Sequence, residues 1–195
     1  MKLIFARHGE TKSGREKRLE GSSDSPLTEN GRRQAERLGF FCQENGVQMI
    51  ISSPLPRTMK TACIAGKILK IEPKTDERLR EICFGEWEGI SKDMLKQSFL
   101  WGERKKDLFN FSHPGFFKDI SGESYSNAYS RFVSFIEEFK PKENSLIVTH
   151  LGIVRSALLF FTKSSPFEFG KFTPPNNQLI VVNFPPPFKI VTPFL

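Results

Sequence analysis

Two apolar runs of this chain end in the same way. Lys2-Leu3-Ile4-Phe5-Ala6 leads into Arg7-His8-Gly9, and Ser145-Leu146-Ile147-Val148-Thr149 leads into His150-Leu151-Gly152. Runs of that length and composition read as buried strands. Closing one with an arginine and a histidine gives up two apolar residues, and in open α/β sheets the carboxyl ends of the strands are where ligands sit. Two parallel strands of one sheet would carry His8 and His150 to a common edge. The chain holds three histidines in all, so the repetition points to a site rather than to two satisfied core histidines. Arg57 reaches the same edge by another route. Residues 47–51 read as a strand, Ser52-Ser53-Pro54-Leu55-Pro56 opens a helix behind it, and Arg57 falls in the first helical turn. Such a junction attracts anions through its free N–H groups and dipole, and a guanidinium there adds a two-pronged donor.

The elements that must position these residues alternate between strand and helix. Residues 12–24 are polar and glycine-punctuated, the pattern of an exposed loop at the mouth of the site. Thr28 is a suitable N-cap for a helix whose inner face is Ala35, Leu38, Phe41 and Cys42, with Gly46 as its stop. The helix after Pro56 buries Thr58, Thr61, Ala62, Ala65 and Leu69 by its spacing. Residues 71–76 predict a short strand, and residues 77–89, acids and bases around an aromatic centre with two glycines, predict a structured loop. Residues 91–122 mix aromatics and charges as a small cap of short helices and loops would. Tyr125, Ala128, Tyr129, Phe132, Ile136 and Phe139 then fall at helical spacing, and a helix is expected from Gly152 to about Phe161. Residues 178–184 and 189–192 predict two last strands around Pro185-Pro186-Pro187, which cannot donate to a ladder. No repeat or long linker divides residues 1–195, which read as one domain.

Composition narrows the function. At 195 residues a chain buries roughly 70% of its unfolded surface, and 20 phenylalanines supply bulky filling. The net charge of +7 favours anionic ligands. Its basic residues lie scattered among acids without a nucleic-acid motif, so nucleic acid is not an expected partner. Cys42, Cys63 and Cys83 have no paired spacing and read as small apolar fillers, consistent with reduced thiols and a cytoplasmic setting. The first apolar run is too short for a signal peptide, and no stretch is long enough to span a bilayer.

Four blocks in order resemble the histidine phosphatase superfamily, also called phosphoglycerate-mutase-like. They are Arg7-His8-Gly9-Glu10-Thr11, the run from Ser52 to Thr58, the run from Leu79 to Gly89, and Val148-Thr149-His150-Leu151-Gly152, joined by Gly21 and the run from Asp24 to Gly31. The resemblance implies an α/β three-layer sandwich with a mostly parallel central sheet flanked by helices. It implies His8 as a nucleophile acting through one neutral ring nitrogen while the other donates to a backbone carbonyl. Arg7, Arg57 and His150 would bind the phosphoryl oxygens. Glu81 would protonate the departing alkoxide and then activate water; the competing reading of Glu81 is an ion pair with Arg78 or Arg80. No metal or other cofactor is implied, because Arg7 and Arg57 would repel a divalent cation and no carboxylate cluster is present. One departure stands near the site. Family members often carry Trp-Asn a few residues after Arg-His-Gly, with the asparagine on the phosphate, whereas this chain has Ser13-Gly14, where a glycine N–H would have to replace the amide.

The interval from Glu81 to His150 holds 68 residues, shorter than in the cofactor-dependent mutases. An open site admits water, so hydrolysis of a small phosphorylated substrate is expected. Chain length, the Phe84–Glu88 segment and the stretch ending in Gly122-Glu123-Ser124 look most like the α-ribazole-5′-phosphate phosphatases of cobalamin biosynthesis. A phosphoglycerate mutase and a non-catalytic phospholigand-binding module are the two rival readings.

Overall fold

The computed structural model describes residues 1–97, 122–165, 173–184, 190–191 and 195. Its centre is a sheet whose described strands are β1 (Lys2–Arg7), β2 (Met49–Ser52), β3 (Lys74–Thr75), β4 (Ser145–Thr149), β5 (Ile180–Asn183) and β6 (Ile190–Val191), in the order β3-β2-β4-β1-β5-β6. The first four in that order run parallel, while β5 is antiparallel to β1 and to β6. Alternation along β1 sorts its side chains to two faces. Leu3 and Phe5 pack with Phe132, Phe135, Ile153 and Ala157, from α5 (Tyr125–Phe139) and α6 (Leu151–Thr162). Ile4 and Ala6 pack with Leu38 and Cys42 of α2 (Glu29–Glu44) and with Ala62 and Ala65 of α3 (Pro56–Leu69). The result is the expected three-layer sandwich. Cutting a fully buried residue such as Phe5 back to alanine costs about 3–5 kcal/mol, a large share of a domain's ~5–15 kcal/mol, so β1 is pinned and its end is a firm platform.

Local chemistry sets the helix starts. The Thr28 side chain accepts from the Gly31 N–H at 3.0 Å, as expected for an N-cap, and Ser124 does the same for Asn127 at 3.1 Å. Pro56 occupies the start of α3, where its missing N–H costs nothing. Residues 77–89 are the structured loop that their composition predicts, with two 3₁₀ turns, Glu77–Leu79 and Gly85–Trp87. Three expectations need adjustment. Strand β2 starts at Met49 because Val47 and Gln48 still bond to the end of α2 and to Asn144. Strand β3 is cut to two residues, since Ile71 bonds back to Gly66 in the turn that ends α3 and Pro73 cannot donate. Residues 12–24 are not wholly an exposed loop: Lys12–Arg15 form a short helix, α1, and Glu20 and Gly21 are buried. Of residues 91–122, where a cap is expected, the described part holds α4 (Lys92–Gln97); residues 98–121 lie outside the described residues. Among the described residues no helix is long and apolar enough to cross a membrane.

Candidate active site

Strands β1 and β4 are neighbours with Arg7 opposite Thr149, and the His8 N–H donates to the Thr149 carbonyl at 2.9 Å. The residues that follow are therefore delivered side by side. The rings of His8 and His150 lie 5.2 Å apart at 58°, both almost completely buried. His8 Nδ1 sits 2.9 Å from the carbonyl of Gly9. A carbonyl only accepts, so Nδ1 carries the proton and Nε2 keeps its lone pair. Burial first, then the cations of Arg7 and Arg57, hold His8 well below its ordinary range, against the opposing effect of the Gly9 hydrogen bond. The nucleophile's backbone is clamped by Asn176, whose amide donates to the His8 carbonyl at 2.7 Å, and by Thr61, whose hydroxyl accepts the Gly9 N–H at 3.0 Å. Glycine is needed where this loop meets α2, because a Cβ on Gly9 would lie 2.2 Å from the Gly31 carbonyl oxygen.

His150 is the residue that caps α6, and its ring faces inward. Its Nε2 lies 2.8 Å from the Ser53 hydroxyl, which also accepts the Leu55 N–H at 3.3 Å. Its Nδ1 is buried without a partner. Burial, followed by Arg57, His8, Arg7 and Arg131, holds His150 too well below its ordinary range.

Arg57 is 1% exposed in the first turn of α3. Its Nη1 donates to the Ser23 carbonyl and its Nη2 to the Gly21 carbonyl, each at 2.7 Å, so part of the expected fork is spent on folding the 21–23 loop onto the site. Four buried side-chain polar atoms among the described residues lack a hydrogen-bond partner: Arg7 Nε, Arg57 Nε, His150 Nδ1 and Glu20 Oε1. An unsatisfied buried group costs about 1–3 kcal/mol, and all four belong to residues that neighbour His8. The two arginine nitrogens are donors, and His150 Nδ1 is a third when Nε2 accepts from Ser53, a set that complements an oxyanion.

Glu81 is 9% exposed, and its Oε1 accepts the Ile82 N–H at 2.9 Å and the Gly152 N–H at 3.1 Å. The second is one of the N–H groups at the start of α6 that the helix cannot pair itself. A side chain at position 152 would collide with this carboxylate, since a Cβ there would lie 2.5 Å from Glu81 Oε1. The ion-pair reading of Glu81 does not hold: Arg78 is taken by Asp76 and Glu138, and Arg80 by Glu77. Nearby carboxylates are otherwise engaged. Glu10 accepts from the Thr28 hydroxyl at 2.6 Å, and Glu88 ties the N–H groups of Ser22, Ser23 and Phe84. Burial pushes the Cys42 thiol up to about 12, which suits filler and not a nucleophile. No three His, Cys, Asp or Glu side chains lie together as metal ligands among the described residues.

The glycine at position 14 does not replace the family's asparagine. The Gly14 N–H is spent on Thr11 Oγ1 at 3.0 Å, and the Ser13 N–H on Ser25 Oγ at 2.9 Å. Beside Gly14 stands a residue that sequence reasoning missed. Glu20 is 9% exposed, its Oε2 lies 4.0 Å from His8 Nε2, and the same oxygen is 3.7 Å from where a Cβ on Gly14 would stand. A glutamate in a polar run carries no signal of burial. Asn176 and Thr61 were equally silent, because their work is to hold backbone across long stretches of chain.

A parallel-edged α/β sandwich that brings two buried imidazoles and two guanidiniums to its carboxyl edge is the arrangement expected of an enzyme that handles oxyanions. Comparison with known proteins agrees: residues 3–189 match the model of the histidine phosphatase superfamily (branch 1), and the chain belongs to that family. A probable phosphoglycerate mutase GpmB of Salmonella newport is 39% identical over 166 residues, covering 82% of this chain and 75% of the relative. Among solved structures, Bacillus stearothermophilus YhfR superposes with a TM-score of 0.82 at 28% identity, over 97% of this chain and 94% of that one. A phosphoserine phosphatase from Entamoeba histolytica, in complex with 3-phosphoglyceric acid, does so with a TM-score of 0.78 at 26% identity, over 94% of this chain and 90% of that one. The chain is thus a histidine phosphatase by family, as its four motif blocks lead us to expect.

Proposed function

We propose that the protein hydrolyses a small phosphomonoester through a phosphohistidine on His8, without a metal. One observation carries the reading: His8 has its Nδ1 proton fixed by Gly9 and its Nε2 lone pair free, amid three buried donors that no described protein group satisfies. In this reading Nε2 attacks phosphorus in line, and Arg7, Arg57 and His150 Nδ1–H take the phosphoryl oxygens. In the same reading the Ser53 hydroxyl, 2.8 Å away, donates a hydrogen bond to His150 Nε2, which leaves the imidazole proton on Nδ1. As the P–O bond breaks, its electron pair goes to the leaving oxygen, which takes a proton from Glu81. Glu81 Oε1 is held by two N–H groups while Oε2 has only a long contact at 3.5 Å, so Oε2 is the oxygen that gives the proton up and later removes one from water. Water then attacks the phosphohistidine, giving orthophosphate and free His8.

α-Ribazole 5′-phosphate is the substrate we put first, on chain length and the Phe84–Glu88 segment. Phosphoglycerate transfer is the second reading, because the curated relatives include probable phosphoglycerate mutases. Phosphate release from α-ribazole 5′-phosphate, phosphoserine and 3-phosphoglycerate, with and without excess chelator, separates these. Hydrolysis should proceed within about twofold in chelator, since no ion supplies the several kcal/mol a catalytic metal gives. Brief mixing with labelled substrate should trap an acid-labile, alkali-stable phosphoryl group that His8→Ala abolishes. Label persisting in that variant, or activity restored by added magnesium or zinc, would refute the mechanism, and transfer between hydroxyls of phosphoglycerate without release would establish the mutase.

A further inference from the structure

Arg7, Arg57 and His150 present donors to the site, and Glu20 presents an acceptor. Its Oε1 is buried and unpartnered among the described residues, and its Oε2 faces His8 Nε2 at 4.0 Å. This is no ion pair, because His8 is neutral with its proton on Nδ1. Two acceptors therefore stand 4.0 Å apart, beside the place where phosphorus must come. A reacting phosphorus sits about 3–3.5 Å from the attacking atom, closer than Glu20 does. Its oxygens lie one bond further out, so one of them falls against the carboxylate. An ionised oxygen there meets repulsion. A protonated one donates a short, charge-assisted O–H···O⁻ bond. Glu20 also occupies the space beside Gly14, which has no side-chain donor to compensate.

We propose that Glu20 reads a proton on the phosphoryl group, so that the site accepts the monoanion of a phosphate ester and discriminates against oxyanions that carry no proton. The charged groups around Glu20 are Arg7 of β1, within whose field it lies, Lys92 of α4, and Arg57 of α3, which is bonded to the carbonyls of Gly21 and Ser23. Glu88 is committed to the N–H groups of Ser22 and Ser23. None of these supplies the buried oxygen of Glu20 with a hydrogen bond, so a donor for it must come with the ligand.

The inference rests on the phosphate-site reading above, but anion binding tests it without turnover. Orthophosphate and sulfate are titrated calorimetrically into the wild-type protein and into Glu20→Gln, in two buffers of different ionisation heat. Phosphate, whose second ionisation lies near pH 7, about a unit above that of its esters, can carry the proton above that pH by uptake; sulfate cannot. Wild type should bind phosphate at least about tenfold more tightly than sulfate, with uptake of about one proton per phosphate in mildly alkaline buffer. Glu20→Gln, whose amide can donate, should bind both anions alike and take up little. Equal binding of the two anions by wild type would overturn the role of Glu20 and leave the phosphate site standing. Proton uptake that persisted in Glu20→Gln would place the proton on His8 or His150 and overturn it as well. Binding of neither anion by either protein would overturn the phosphate site itself and this inference with it.

Discussion

Glu81 and Glu20 are buried to the same degree, each 9% exposed, yet they stand in opposite chemical situations. Glu81 follows a 3₁₀ turn, and one of its oxygens is held by the N–H of its neighbour Ile82 and by that of Gly152 at the start of α6. Glu20 comes from the 12–24 region, which encloses the site from another part of the chain, and its buried oxygen has no donor among the described residues. Depth alone does not assign a carboxylate its work. Backbone donors that fix one oxygen leave the other free to exchange a proton with the ligand or with water. A carboxylate without donors must take one from the ligand. The first arrangement serves acid–base chemistry and the second serves selection.

The largest effect tests the Glu81 half of this contrast. Glu81→Gln should slow phosphoenzyme formation from an alkyl phosphate by about 10² to 10⁴, the usual contribution of general acid catalysis. With nitrophenyl phosphate, whose leaving group departs unaided, that step should be nearly spared. Hydrolysis of the phosphohistidine should still be slow, so a burst of nitrophenol precedes a sluggish steady state. Equal small losses on both substrates and no burst would make Glu81 a structural residue.

A smaller effect comes from crowding Glu81 without changing its chemistry. Gly152→Ala places a Cβ 2.5 Å from Glu81 Oε1, and a misplacement of about 1 Å can cost a reaction about 10²-fold. The loss should fall on alkyl phosphates more than on nitrophenyl phosphate, and orthophosphate binding at the Arg7–Arg57–His150 side should change little. A variant that lost orthophosphate binding and hydrolysis together would show that the two halves of the site are not separable in this way.

The smallest effect concerns stability. His8 and His150 are both held well below their ordinary value of 6.5 by burial and by Arg7 and Arg57. As pH falls below that value the unfolded chain takes up protons that the folded chain refuses, so stability present above pH 6.5 is progressively lost on acidification. Thermal melts should show Tm declining from about pH 6.5 downwards, with a shallower decline in His8→Asn. An identical slope in that variant would move the acid sensitivity to other groups.

Much of this was legible beforehand because period and punctuation report directly on local structure. The apolar run before His8 became β1, Thr28 became an N-cap, and the spacing of Tyr125 to Phe139 became α5. The candidate residues Arg7, His8, Arg57, Glu81 and His150 are brought together: Arg7, His8 and His150 at the ends of β1 and β4, Arg57 in the first turn of α3, and Glu81 beyond the 3₁₀ turn that follows β3. Strand limits were less legible: β2 and β3 are shorter or shifted because their flanking residues find other hydrogen-bond partners.

By itself the sequence marked the apolar runs and the imidazole and guanidinium that end them, because strand-end position follows from short-range pattern, and the resemblance of its four blocks added a mostly parallel sheet. Tertiary structure decided what each polar atom of the site has left to offer. The Gly14 N–H goes to Thr11, two nitrogens of Arg57 go to the 21–23 loop, and Glu20 is brought from an unremarkable polar stretch to within 4.0 Å of the nucleophile. Hydrogen-bond partners are chosen by three-dimensional proximity across tens of residues, and residue type at one position carries no record of that choice.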